Sequence, residues 1–225
     1  MQSPLNGSSP DTRQVLGRLH VITDFHRQQR FSHAELAERA IRGGADSIQF
    51  RQKHGGIRNM LIAAENVQEV CREASVPLIV DDRIDVALSV EAAGVHLGQR
   101  DFPVGKARAV VGPDVLVGAT ATTAEQAASA YEAGADYIGF GPVFPTSSKR
   151  NPKSVKGPEG LAAACETVPA PVLAIGGITP DRVRPVLEAG AHGVAVLSAI
   201  VATEDPEAAA TRFRTVIDEA VQALG

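Results

Sequence analysis

The stretch EAGADYIGF (Glu132–Phe140) carries the chain from a helical pattern into an apolar run within nine residues. Close variants recur as GGADSIQF (Gly43–Phe50), EAAGVHL (Glu91–Leu97) and EAGAHGVAV (Glu188–Val196). The Gly suits a left-handed residue just past a helix C-terminus, and the small and polar residues after it turn the chain into the next strand. The apolar runs are mostly continuous rather than alternating, as expected of strands buried on both faces of a parallel sheet. Eight can be traced: LHVIT (19–23), SIQF (47–50), PLIV (77–80), GVHL (94–97), VLVGA (115–119), DYIGF (136–140), PVLAI (171–175) and GVAVL (193–197). Segments of helical spacing lie between them, among them HAELAERAIRGG, MLIAAENVQEVCREA, AEQAASAYEAG and PDRVRPVLEAG. Thr179-Pro180 reads as an N-cap followed by Pro at the first helical position, and Asp205-Pro206 opens the last helix the same way. At roughly 25 to 30 residues per unit, this alternation predicts an α/β fold, a single (β/α)8 TIM barrel. An open doubly wound sheet is the alternative, but no GxGxxG follows the first strand, which counts against its dinucleotide-binding version.

The bulk properties agree with one barrel domain. The 225 residues are 44% apolar, enough for a sizeable core, and the formal charge of -4 gives no reason to expect nucleic acid or an anionic membrane as partner. No apolar run is long enough to span a bilayer. The polar start MQSPLNGSSPDTRQ lacks the apolar centre of a signal peptide, so residues 1–17 are expected to form a flexible N-terminal arm, with the barrel over 18–225. Cys71 and Cys165 sit singly in Ala-rich helical stretches and read as small packing residues of a cytoplasmic protein.

In a barrel, chemistry gathers where strands end and βα loops begin. Gln49, Arg51 and Lys53 alternate, so they share one face of a strand and its extension. Two cations there suit a diphosphate, since Arg forks onto phosphate oxygens and Lys supplies a point charge; solvated surface charges are the other reading. Asp82 and Asp101 follow neighbouring strands and could share Mg2+, which takes one or two carboxylates plus substrate phosphate and water; they could equally be helix caps or solvated loop residues. His20, His96 and His192 show no ligand-like spacing, and the latter two read as satisfied strand-end residues. Gly176, Gly177 and Ser198 stand where barrel loops seven and eight commonly bind phosphate. The loop GFGPVFPTSSKRNPKSVKGPEG (139–160) is rich in hydroxyls and cations, an unusual choice for an acidic chain.

The ordered series QxRxK, DR, HLGQxD, PVFPTxSK, AIGGIT and VxSAI, from about Leu19 to Ile200, resembles the thiamine phosphate synthase family. The resemblance implies a (β/α)8 barrel that couples hydroxymethylpyrimidine diphosphate to thiazole phosphate, giving thiamine phosphate and diphosphate, with Mg2+. By position it implies that Gln49, Phe50, Arg51, Gln52 and Lys53 hold the pyrimidine diphosphate and that Asp82 and Asp101 ligate Mg2+. Thr120 would stand near the reacting centre in place of the family's usual Ser. Thr146, Ser147 and Ser148 would hold the thiazole substrate and Lys149 the diphosphate, while Gly177, Leu197 and Ser198 would bind the thiazole phosphate. Arg51, Lys149 and Thr120 would carry the catalytic work: charge stabilisation of a leaving diphosphate, with C–O cleavage preceding capture of the cation by the thiazole nitrogen.

Three features depart from the family pattern. Asp81 replaces the usual Asn and can accept from a pyrimidine amine but not donate. Thr122 stands where His is frequent, and the loop after Lys149 carries extra cations. Two rivals follow: a thiazole tautomerase on the same barrel, which needs a proton-transfer His where Thr122 stands, and a non-catalytic barrel that binds a thiamine precursor. The expected partners are the two small-molecule substrates, and the chain is expected to be a monomer or homodimer.

Overall fold

A computed structural model describes residues 12–25, 28–146 and 154–225. Eight parallel strands close into a barrel in chain order: β1 (Leu19–Asp24), β2 (Ser47–Arg51), β3 (Leu78–Asp81), β4 (Gly94–Leu97), β5 (Leu116–Ala121), β6 (Tyr137–Phe140), β7 (Val172–Ile175) and β8 (Gly193–Val196). The ring shuts where Leu19 pairs with Val194. Around it run α2 (His33–Arg42), α3 (Ile57–Glu73), α4 (Ile84–Ser89), α5 (Val104–Val111), α6 (Ala124–Glu132), α7 (Gly157–Thr167), α8 (Pro180–Glu188), the single turn α9 (Ser198–Val201) and α10 (Pro206–Leu224). A short α1 (Thr12–Leu16) precedes β1. The eight apolar runs coincide with the eight strands to within two residues.

The Gly-Ala-Asp repeat has a physical cause beyond its turn. Gly44, Gly134 and Gly190 take left-handed backbone with φ of +94°, +100° and +92°, as a helix-ending Gly should. The following acid then ties its strand to the one before. Asp46 N–H donates to Leu19 O at 2.9 Å, and its carboxylate accepts from the Arg18 and Leu19 amides, both at 2.8 Å. Asp136 repeats this one half-barrel away: its amide donates to Val117 O at 2.8 Å, and its carboxylate takes Val117 N–H at 2.6 Å. Arg214 and Arg108 clamp these two carboxylates from the helices. In EAAGVHL the left-handed residue is Glu91, with φ +53°. Gly94 is not the turn residue there; it lies in β4, where a side chain would come within 2.7 Å of Leu116 O.

Two apolar layers result. Outward-facing strand residues such as Ile48, Phe50, Val80 and Ile138 pack beneath the helices, while Leu16, Ile22, Ile79, Tyr137, Leu173 and Ala195 fill the interior. Leu16, the last residue of α1, is fully buried; residues 1–11 lie outside the described ones. Cys71 is buried in the outer layer, and burial pushes its thiol up to about 12, in keeping with a packing role. Thr179 and Pro180 stand at the N-cap and first position of α8 as expected, but the buried Thr179 hydroxyl makes no cap bond.

The interior also holds polar groups. Ser47 donates its hydroxyl proton to Leu16 O at 2.8 Å, so His20 Nδ1, 2.7 Å from Ser47 Oγ, must be the donor of that pair. Burial, and next the neighbouring His96, push the His20 pKa from 6.5 down to about 3. His20 therefore stays neutral in the fold where the unfolded chain would be protonated. Its contribution is intact above pH 6.5 and is lost as pH falls toward 3, because the unfolded state alone takes up the proton. Replacing His20 with Asn keeps a donor to Ser47 and removes the titration. In urea unfolding, the stability lost between pH 7 and 5 should shrink by about 2 kcal/mol relative to wild type. An unchanged loss would show that the acid sensitivity lies elsewhere.

Candidate active site

The C-terminal ends of β1 to β4 carry a connected set of charges. The β1–β2 register places Asp24 beside Arg51, and the two side chains form an ion pair. Arg51 Nε also lies 3.3 Å from Asp81 Oδ2, and Lys53 Nζ lies 2.7 Å from the same oxygen. Lys53 bridges onward to Asp82. Asp24 and Asp81 are nearly buried, their side chains 4% and 10% exposed, so their charges depend on these partners. Asp82 has left-handed backbone, φ +64°, and its amide donates to His96 O at 2.9 Å. Asp101 belongs to the same edge of the rim: its Oδ2 accepts Gly98 N–H at 2.7 Å, two residues beyond His96. Arg83, by contrast, turns to Asp85 of its own helix, with Nε donating at 2.8 Å.

Farther round the rim, Thr120 Oγ1 lies 2.9 Å from His96 Nε2, and His96 Nδ1 lies 3.1 Å from the Tyr137 hydroxyl. Gln99 reaches across to donate to Thr120 O. Thr122 turns away from the rim; its hydroxyl and amide both donate to Gln126 Oε1, at 3.0 and 2.9 Å.

The ends of β6, β7 and β8 present backbone instead of charge. Gly176 and Gly177 are consecutive left-handed residues, φ +95° and +66°. The chain leaving β6 runs along them, with Val143 N–H on Ile175 O at 2.9 Å and Phe144 N–H on Gly176 O at 3.0 Å. Arg182 of α8 locks the corner by donating to Gly177 O at 2.7 Å and stacking 4.8 Å over the Phe144 ring. Leu197 then bends the chain into α9, which opens at the exposed Ser198.

The residues singled out in the sequence therefore separate by where the barrel places them. Arg51, Lys53, Asp81, Asp82 and Asp101 line one arc, with Thr120 beyond it and Thr146, Gly177, Leu197 and Ser198 on the facing arc; Gln49, 4% exposed, lies one layer lower, level with Ile22 and Ile79 inside the barrel. Phe50 differs: its side chain is 1% exposed and packs 4.7 Å from the His33 ring beneath the helices, so only its backbone belongs to the rim. Gln52 folds back to its own loop and donates to His54 O at 3.1 Å. Ser147, Ser148 and Lys149 lie outside the described residues. Sequence reading passed over Asp24, although VITD ends its strand as LIVD does, and Tyr137, concealed in an apolar run.

The donor set fits a hard cation. Among the described residues of this arc, Asp24, Asp81, Asp82 and Asp101 outnumber Arg51 and Lys53. Among the described residues no group of three or more His, Cys, Asp or Glu could hold a metal without help. Two carboxylates completed by substrate oxygens and water are what Mg2+ accepts.

The family model for thiamine monophosphate synthase matches residues 19–200. A protein of Salinibacter ruber named thiamine-phosphate synthase is 65% identical over 213 residues, spanning 95% of this chain and 94% of the relative. One of the same name from Chloroflexus aurantiacus is 44% identical over 200 residues, covering 89% and 92%. Among solved structures, thiamine phosphate pyrophosphorylase from Pyrococcus furiosus superposes with a TM-score of 0.84 at 39% identity, covering 93% of this chain and 98% of that one.

Proposed function

Because the chain belongs to the thiamine monophosphate synthase family, we propose that it joins hydroxymethylpyrimidine diphosphate to thiazole phosphate, forming thiamine phosphate and releasing diphosphate. The observation that carries this reading is the division of the rim. One arc offers Arg51 and Lys53 among carboxylates; the facing arc offers the bare backbone at Gly176 and Gly177. Two anionic substrates are thereby given separate seats.

On this reading Asp82 and Asp101 hold Mg2+. When bound, the ion neutralises diphosphate oxygens and so makes the group a better leaving group. Arg51 and Lys53 turn from their carboxylates toward the same oxygens and stabilise charge as the C–O bond breaks. Asp81, already held by both cations, accepts from the pyrimidine amine. Gly177, Leu197 and Ser198 hold the thiazole phosphate, with Thr146 beside the ring, so that the thiazole nitrogen faces the cationic carbon. Ser147, Ser148 and Lys149 carry their family roles as substrate and diphosphate contacts. No strong base is required, and the reading is supported by the Thr122 position, where a tautomerase needs a proton carrier and this chain has a hydroxyl bonded to Gln126. No described helix is long and apolar enough to cross a membrane. Both substrates are phosphorylated and highly charged, so we place the reaction in the cytoplasm.

The test is turnover with both substrates and Mg2+. Thiamine phosphate and diphosphate should appear in equal amounts. Binding without turnover, or interconversion of a thiazole carboxylate phosphate without coupling, would overturn the reading. A second expectation concerns the facing arc. At Gly177 an added Cβ would lie 2.4 Å from Pro145 O and 3.0 Å from Phe144 Cβ, on a backbone already left-handed. Gly177→Ala must therefore displace the β6 loop stem, and the KM for thiazole phosphate should rise about tenfold, the equivalent of one hydrogen bond lost. Steady-state kinetics with the pyrimidine substrate saturating would show it, and an unchanged KM would remove Gly177 from that seat.

A further inference from the structure

Two strand glycines make room for two rings directly beneath Thr120. At Gly118 of β5 a Cβ would lie 2.1 Å from the Tyr137 ring, and at Gly139 of β6 it would lie 3.0 Å from His96 Cε1. Gly inside a strand weakens it, so this space is kept at a cost in stability. The rings are nearly inaccessible, Tyr137 1% and His96 9% exposed.

Hydrogen-bond distances link the two rings to Thr120. Burial raises the Tyr137 pKa, so the phenol keeps its proton. A buried O–H needs an acceptor, and His96 Nδ1 stands 3.1 Å away. With Nδ1 accepting, a neutral His96 carries its proton on Nε2 and donates it to Thr120 Oγ1 at 2.9 Å. The Thr120 oxygen is thereby engaged from below, and its own proton is left for the rim.

We propose that Tyr137 and His96 are positioning residues that fix the Thr120 hydroxyl as a hydrogen-bond donor to an acceptor atom of the pyrimidine diphosphate; this rests on the proposed coupling reaction and on the family resemblance, which puts Thr120 near the reacting centre. Neither ring touches the substrate. They set a proton direction that a threonine alone would leave free, because a hydroxyl rotor donates or accepts as its surroundings dictate.

Two measurements test it. In the full chain labelled with 15N-histidine, two-bond proton–nitrogen correlation spectra at neutral pH should show His96 as the Nε2–H tautomer, its signals assigned by their loss in His96→Gln. An Nδ1–H tautomer or an imidazolium would overturn the proposal, and this readout on the ligand-free protein does not depend on what the chain catalyses. In kinetics, Tyr137→Phe should lower kcat about tenfold and leave the KM for thiazole phosphate unchanged. Thr120→Ser should keep most activity, Thr120→Val should lose it, and adding Tyr137→Phe to Thr120→Val should cost nothing more. An equal loss from Tyr137→Phe in both backgrounds would overturn the relay, since the tyrosine would then act otherwise than through Thr120. Absence of coupling by a wild-type chain that shows the expected tautomer would instead overturn the substrate assignment and leave the hydrogen-bond direction standing.

Discussion

Arg51→Met should cost the fold about 3 kcal/mol and lower turnover at least about a hundredfold. Both effects come from the same guanidinium. Arg51 stands between Asp24 and Asp81, whose side chains are 4% and 10% exposed. Removing it takes a charged partner from each carboxylate in a setting where water cannot replace it, and breaking a pair of that kind is far costlier than losing one at the surface. Lys53 still reaches Asp81, so Asp24 bears most of the loss. The double variant Asp24→Asn, Arg51→Met separates structure from chemistry. It should regain a good part of the stability, because a nearly buried carboxylate that has lost its Arg51 ion pair is gone, and none of the activity, because the diphosphate still lacks its fork. Urea unfolding and single-turnover rates on both variants give the answer. A single variant as stable as wild type would mean that Arg51 is not the partner that holds Asp24.

Asp82→Asn should behave oppositely, with activity falling about a hundredfold while stability moves by less than about 1 kcal/mol. Asn is the informative substitution because Asp82 has φ +64°, a conformation that Asn adopts and Ala resists. Its ion pair with Lys53 is partly solvated, the side chains 21% and 31% exposed, so the fold depends on it little. What the change removes is a hard oxygen charge at the place proposed for Mg2+. The Mg2+ concentration giving half-maximal rate should rise, while the melting temperature stays near that of wild type. An unaltered Mg2+ titration would take Asp82 out of the metal site.

The contrast between these variants shows what could be read in the sequence. Strands of a closed parallel barrel are buried on both faces, so they stand out as continuous apolar runs, and the Gly-Ala-Asp repeats mark where helices end. That made the fold legible. The shared inward face of Gln49 and Arg51 was legible from alternation alone, and the same parity sends Phe50 outward to the His33 ring; that Gln49 stops one layer below the rim was not. Asp24 needed the β1–β2 register, which sets it opposite Arg51 across 27 residues of chain. No local pattern encodes that pairing. The left-handed turn at Asp82 has no signature either, since Asp is common in ordinary loops. Tyr137 reads as one more apolar strand residue until the barrel closes and its hydroxyl meets His96. The glycines that seat these rings, Gly118 and Gly139, look like weak points in their strands until the space they leave is seen to be filled.

The charge balance of the β1–β4 rim is the centre of this account, and calorimetric titration with inorganic diphosphate probes it most directly. With Mg2+ present, diphosphate should bind the wild-type chain at one site, and binding should collapse when the metal is chelated, because the carboxylates beside Arg51 and Lys53 then face the anion without the ion that offsets them. Equal affinity with and without Mg2+ would contradict the account.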